Sequence, residues 1–260
     1  MPTELSPHNL RIERLRDLRT PHGRREQGRF AIEGAVLIGE ALRAGIPLYE
    51  IYAAPALLRG DAAEPKAIAP GVPLHTVSER AFARISDVES PSGLLAVAGL
   101  PAADPLRILA RPGPVLLLAG VADPGNAGTL VRSADAFGAA GVLFGTGGVD
   151  AYAPKVVRAA MGSLFRVPVA AVSPEMLLEA AAAAGRRVIA ADTSGEDLAG
   201  GILTQHSVLA VGNERRGVRD WLPRWHGAVR IPQQGAAESL NAAVAGSILL
   251  YELMRARAAG

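Results

Sequence analysis

The sequence has no cysteine, and lysine occurs only at Lys66 and Lys155. The first absence excludes disulfides, a thiolate zinc site and a cysteine nucleophile. No apolar run reaches the roughly 18 residues that mark a transmembrane helix, and Met1 to Leu10 lacks the apolar core of a signal peptide. A cytoplasmic protein is therefore expected. Several signatures are also missing. No Gly-x-Gly-x-x-Gly follows an early strand, and Gly145-Thr146-Gly147-Gly148 has the wrong spacing. That disfavours a dinucleotide fold or an ordinary Rossmann enzyme. There is no Walker loop, no His-Glu-x-x-His and no Gly-x-Ser-x-Gly elbow, and no metal site is expected.

What is present is a globular chain. With 49% hydrophobic and 20% charged residues over 260 positions, it has room for one large domain or two small ones and is too apolar to be disordered. The net charge of +2 says little; its placement says more. Arg11, Arg14, Arg16, Arg19, Arg24, Arg25 and Arg29 crowd one N-terminal stretch, against Glu13, Asp17 and Glu26. Guanidinium forks match phosphate bidentately, so such a cluster is an electrostatic footprint for nucleic acid. A solvated helix face with internal ion pairs is the alternative reading.

Strand-like and helix-like segments alternate. Ser6-Pro7 reads as a cap and first position of a helix reaching Leu18, which Thr20-Pro21-His22-Gly23 breaks. Strands are expected at 30–32, 48–53, 74–77 and 93–100, with helices at 34–44 and, capped by Ser78, to Ile85. The proline-rich stretch from Pro101 to Pro114 reads as a linker, with a boundary near residue 105. Beyond it, Val115–Ala119 is a continuous apolar run of the kind found in buried parallel strands. Helices at 128–137, 174–184 and 240–257 alternate with strands at 141–144, 167–172, 187–191, 208–211 and 229–231.

Three loops follow apolar strands in this half: Gly120-Val121-Ala122-Asp123-Pro124-Gly125-Asn126-Ala127-Gly128, Gly212-Asn213-Glu214-Arg215-Arg216-Gly217, and Ile231-Pro232-Gln233-Gln234-Gly235 through Glu238-Ser239-Leu240-Asn241. In open α/β sheets, ligands bind at the carboxyl ends of strands. Glycine permits close backbone approach, and helix N-termini present free N–H groups. Such loops can hold a polar cofactor through main-chain contacts; ordinary strand-to-helix punctuation is the other reading.

The three loops resemble the signature motifs of the SpoU (TrmH-type) family of RNA 2′-O-ribose methyltransferases. Asn126-x-Gly128-x-x-x-Arg132, continuing to Phe137-Gly138, is similar to motif one. Gly212-x-Glu214-x-x-Gly217 is similar to motif two, and Ile231-Pro232 with Glu238-Ser239-Leu240-Asn241 to motif three. Pro154 to Arg166 resembles a further family segment, and the likeness runs from about Val115 to Arg257. Gly28 to Gly34 and Pro91 to Val97 resemble the family's substrate-binding domain, a small α/β module similar to certain ribosomal proteins.

The resemblance implies an α/β protein: an RNA-binding domain over 1–104 and a catalytic SPOUT domain over 105–260 with a deep trefoil knot. It implies S-adenosylmethionine held by Gly212, Ile231, Leu240 and Ser239, and a homodimer with the site near its interface. It assigns Arg132 to the reacting 2′-oxygen and a substrate phosphate, with Asn126 orienting Arg132 or the ribose. Glu214 would order the second loop and Asn241 shape the third. Arg24, Arg25, Arg29 and Arg158 are the expected RNA contacts. The Lys-Asp-Lys-Glu tetrad of Rossmann-type 2′-O-methyltransferases needs two lysines together, which this chain does not offer. Arg215, Gln233 and Ala243 depart from the family's usual glycine, methionine and serine. The front domain points to 23S ribosomal RNA as substrate; tRNA, or a relative that binds RNA without turnover, are the alternatives.

Overall fold

The computed structural model describes residues 4–58, 68–102, 104–235 and 239–258, residues 257 and 258 without their side chains. Contacts divide the chain into two units. One holds the described residues of 1–102 together with 152–165; the other holds those of 103–151 and 166–260.

The first unit begins with α1 (Leu10–Asp17), which buries Ile12 and Leu15. Asn9 caps it, accepting from Arg11 N. Ser6-Pro7 does not, because Leu5 is drawn into an extended bridge with Val77, which leaves residues 7–8 in a turn. The expected break at Thr20-Pro21 is the start of another helix, α2 (Pro21–Gln27), where Thr20 caps Gly23 N. A capping threonine followed by proline at the first position ends one helix and starts the next equally well. Then come β1 (Arg29–Glu33), α3 (Ala35–Arg43), β2 (Leu48–Ala53), β3 (Leu74–Thr76), α4 (Glu79–Ile85) and β4 (Leu94–Gly99). The sheet order is β1-β4-β2-β3, antiparallel except for the β2/β3 pair. Arg29 stands opposite Gly99, and the β2/β4 register shifts between Leu48 and Glu50, at Tyr49. Helices α1 and α4 bury Ile12, Leu15, Phe82 and Ile85 against Tyr52, Leu95 and Val97.

The second unit opens with α5 (Pro105–Ala110), capped by Asp104 and lying inside the stretch expected to be a linker. Six strands follow in chain order: β5 (Val115–Ala119), β6 (Gly141–Gly145), β7 (Val169–Val172), β8 (Arg187–Asp197), β9 (Ser207–Gly212) and β10 (Gly227–Arg230). They form one wholly parallel sheet in the order β10-β8-β9-β5-β6-β7. β5, β6 and β9 are buried at every position, as strands covered on both faces must be. Around them lie α6 (Pro124–Ala136), α8 (Pro174–Ala183) and α9 (Ala242–Ala258). Gly246 lets α9 close on α6: a Cβ there would come within 2.4 Å of Leu130 and 3.0 Å of Val211. Ser133 and Ser247 pair across the same contact at 2.6 Å.

The segment expected to belong to the second half, 152–165, packs with the first unit. It contains α7 (Pro154–Ala159), which buries Val156 and Val157. Tyr152 and Phe165 lie 4.9 and 6.2 Å, centroid to centroid, from the buried ring of Phe30. Burying those rings outweighs sequence adjacency in deciding where the segment sits.

Candidate active site

Because all six strands run the same way, the carboxyl ends of β5, β8, β9 and β10 open on one edge of the sheet. The order β10-β8-β9-β5 puts the three motif loops side by side there, although residues that meet across them are as much as 115 positions apart in sequence.

The first loop is shorter than its sequence suggests. Asp123 caps α6, accepting from Asn126 N at 2.7 Å, with Pro124 at the first helical position. The helix therefore starts four residues before the expected position, and Asn126 sits in its first turn. Its side-chain amide is held at both ends. Nδ2 donates to Glu214 Oε1 at 2.8 Å, and Oδ1 accepts from Asn241 Nδ2 at 3.0 Å. Asn241 Oδ1 in turn accepts from Ala243 N and Val244 N, capping α9. One chain of hydrogen bonds, Glu214–Asn126–Asn241, thus fastens the three motifs together across sequence separations of 88 and 115 residues.

The second loop is a closed turn. Asn213 and Gly217 exchange backbone hydrogen bonds, and Asn213 Oδ1 accepts from Arg215 N and Arg216 N. Asn213 Nδ2 donates to Gly120 O at 3.2 Å, a second tie between loops one and two. Gly212 is required by this turn: a Cβ at that position would lie 2.1 Å from Gly217 C and 2.2 Å from Val218 N.

Between these loops lies a cleft of about 540 Å³, within the roughly 300–1,000 Å³ of small-molecule sites. Val211, Ile231, Leu240 and Leu249 supply apolar wall; residues 212–217 and Gln233 supply polar groups and backbone. Asp192 and Thr193 line it from β8. The Asp192 carboxylate accepts from Ser194 Oγ at 2.7 Å and Ser194 N at 2.9 Å, and these hydrogen bonds hold it below the usual carboxylate range.

Of the expected cofactor residues, Gly212, Ile231, Leu240 and Ser239 all line this cleft, with Glu214 and Asn241 beside them. Asn126 reaches the site through its two partners. Its amide joins Glu214 and Asn241, and no hydrogen bond links it to Arg132 among the described residues. Arg132 is exposed on α6, away from the cleft lining, and donates to no acceptor among the described residues. Glu238, part of the third motif, lies outside the described residues.

The expected RNA contacts divide. Arg25 is exposed and Arg29 half-buried over the Tyr49 ring. Arg24 is a correction: it is only 1% exposed and donates to Leu18 O at 2.8 Å, so it fastens the end of α1 and cannot reach a phosphate. Arg158 is half-buried, and its Nη1 donates to Asp87. Asp123, Asn213 and Asp192 were missed as site-building residues. The signal for the first was present in Asp-Pro, a cap followed by proline; the other two needed the tertiary contacts.

A parallel sheet with loops laced over a carboxyl-edge cleft, and no glycine-rich phosphate loop, defines an α/β enzyme that holds its cofactor outside the Rossmann manner. Residues 113–251 match the SpoU rRNA methylase family, and residues 9–96 match the MRM3-like substrate binding domain. The chain is 34% identical to the 23S rRNA (guanosine(2553)-2′-O)-methyltransferase RlmP of Bacillus subtilis, over 95% of this chain and 97% of that one. The SpoU methyltransferase AviRb from Streptomyces viridochromogenes, solved with the cofactor AdoMet, superposes with a TM-score of 0.85 at 30% identity, covering 97% of this chain and 100% of that chain. A narrower likeness, with a TM-score of 0.51 at 30% identity, joins 58% of this chain to the whole of a protein solved in a study of 2-OH methylation of C/U34 on tRNA. The chain belongs to the SpoU rRNA methylase family. Its fold is that family's SPOUT α/β fold, and the trefoil knot expected from sequence is implied by it.

Proposed function

We propose that this enzyme methylates a ribose 2′-hydroxyl of 23S ribosomal RNA, using S-adenosylmethionine held in the cleft of the second unit. The observation that carries the reading is the Glu214–Asn126–Asn241 chain, which binds all three motif loops into one site. The cleft fits the cofactor. Its apolar wall suits a purine, its volume suits a nucleoside-sized ligand, and Gly212 keeps the backbone close where a side chain would intrude.

When bound, S-adenosylmethionine supplies an electrophilic methyl group on a sulfonium. The chain's own task is alignment, exclusion of water and stabilisation of the oxygen that develops charge. Arg132 is assigned to a substrate phosphate and to that 2′-oxygen. A guanidinium stays protonated in proteins, so its role is electrostatic and it is not the proton acceptor. Glu214, Asn126 and Asn241 hold the loops; Ser239, Leu240, Ile231 and Gly212 touch the cofactor.

The active form is a homodimer. Val244 and Tyr251 lie on α9 at a seven-residue spacing, 48% and 45% exposed, with Phe137 edge-on to Tyr251. A second copy covering that strip would bury it. Arg132, which does not line its own chain's cleft, would then have a site at the interface. The ribosomal substrate is favoured because the rRNA enzymes match nearly the whole chain, front unit included, whereas the tRNA-related structure matches 58% of it. A cytoplasmic location goes with that substrate.

The test is transfer of labelled methyl from S-adenosylmethionine into unmodified 23S rRNA and tRNA side by side, with mapping of alkali-resistant linkages. Label at one 2′-O position of the rRNA is expected. Label in tRNA alone would overturn the substrate, and label in neither would overturn the activity.

A further inference from the structure

Tyr49 is out of place for a packing residue. The other aromatics of its unit's sheet are buried: Phe30 is 0% and Tyr52 1% exposed, and the Tyr52 hydroxyl donates to Glu50 while its ring lies 5.0 Å from that of His75. Tyr49, three residues earlier on the same strand, is 43% exposed. It falls where the β2/β4 register shifts, which turns its ring across the neighbouring strand. What it crosses is Gly99. A Cβ at Gly99 would lie 2.9 Å from Tyr49 Oη, 3.4 Å from Tyr49 Cε2 and 3.1 Å from Pro47 Cγ. Arg29 is paired with Gly99 from the opposite side. The empty position on β4 therefore lets residues from β1 and β2 meet over it: Arg29 Cζ stands 4.7 Å from the Tyr49 ring centroid. No carboxylate among the described residues pairs with Arg29, so its donors remain available beyond the ring.

A guanidinium on an exposed phenol ring makes two flat, stacked surfaces edged by hydrogen-bond donors. Unstacked RNA bases are taken up on aromatic rings and arginine planes of this kind, with phosphates held by the remaining donors. Bases within an A-form duplex are already stacked and do not present their faces. We propose that Tyr49 and Arg29, meeting over Gly99, form a stacking platform for an unpaired base of the RNA substrate. This rests on the reading of the chain as an RNA-methylating enzyme and adds a place where the front unit selects single-stranded over duplex RNA.

The test uses the full-length protein, an unmodified 23S rRNA transcript as probe, and the variants Tyr49→Phe, Tyr49→Leu and Arg29→Gln. Losing one stacking aromatic weakens binding by about 5- to 150-fold, so Tyr49→Leu is expected to lose affinity within that span while Tyr49→Phe, which keeps a ring, retains it. The slope of log affinity against log salt stays unchanged in Tyr49→Leu, which removes no phosphate contact, and falls in Arg29→Gln. A merely structural tyrosine would not separate in this way. Tyr49→Leu that melts like wild type and binds the transcript equally well overturns the platform while leaving the methyltransferase reading intact. If Tyr49→Leu does not fold, the wild-type protein cross-linked to a 4-thiouridine-substituted transcript decides. Cross-links on the peptide carrying Tyr49 support the platform, and cross-links only elsewhere overturn it. Wild-type protein that binds no RNA transcript removes both readings together.

Discussion

Replacing Asn126 with aspartate changes one NH₂ to an oxygen and nothing else in shape. Its effect follows from the chain it sits in. Oδ1 still accepts from Asn241, but the donor aimed at Glu214 Oε1, 2.8 Å away, becomes a second carboxylate oxygen. Glu214 is solvent-exposed, so bulk-water screening applies. Two unit charges at that separation repel by about 1.5 kcal/mol in bulk water. The lost hydrogen bond adds about 1 kcal/mol. Asn126→Asp should therefore lower the unfolding free energy by about 2–3 kcal/mol at pH 7, and loosen loop two enough to weaken S-adenosylmethionine binding. The sign of the pH dependence follows from the repulsion. The penalty is full while both carboxylates are charged, at neutral pH, and fades as acidification protonates one of the pair. Adding Glu214→Gln restores a donor and should recover most of the loss. The measurements are urea unfolding at pH 7 and pH 5, and calorimetric titration of the cofactor, on both single variants and the double. Additive single-variant effects, or Asn126→Asp indistinguishable from wild type at pH 7, would refute the idea that this chain holds the site together.

Gly212→Ala should abolish cofactor binding at concentrations that saturate wild type, because its Cβ would fall 2.1 Å from Gly217 C; titration calorimetry reads it. Arg186, 4% exposed, donates to the carbonyls of Leu109, Gly113 and Arg111, and Arg186→Ala should cost roughly 3 kcal/mol, about 1 for each acceptor left without its donor, measured by urea unfolding. Arg24→Ala should lower the melting temperature, whereas Arg25→Ala should leave it alone and reduce the salt slope of RNA binding by about 1. Asp192, whose folded pKa lies below its unfolded value, adds stability that is present above the usual aspartate range and lost as pH falls through the folded value; Asp192→Asn should flatten the acid limb of the stability profile.

Much of this protein is legible along the chain because local physics repeats there. Val115–Ala119, Gly141–Gly145 and Val208–Gly212 are unbroken runs without a polar side chain, and a strand covered on both faces needs that pattern whatever its neighbours are. Ser78 as a helix cap is equally local: its hydroxyl accepts from Ala81 N three residues away. Where local signals serve two ends, reading along the chain fails. Thr20-Pro21 stops α1 and starts α2, and Asp104-Pro105 places a helix inside a proline-rich stretch that looks like a linker.

Sequence by itself determined the alternation of strands and helices, the three motif loops, and through them the family and its chemistry. Residue type and short spacing carry all of that. Tertiary structure alone decided which arginines face solvent. Arg24 and Arg25 are adjacent in sequence, yet one is buried against the end of α1 and the other exposed, since a helix turns about 100° per residue. It decided that 152–165 packs with the first unit, through the rings around Phe30. It also decided that the Asn126 amide spans Glu214 and Asn241, because sheet order brings together loops that the chain separates by 88 and 115 residues. Hydrogen bonds of that range leave no periodicity in the sequence; they exist only once the parallel strands have lined up their carboxyl ends.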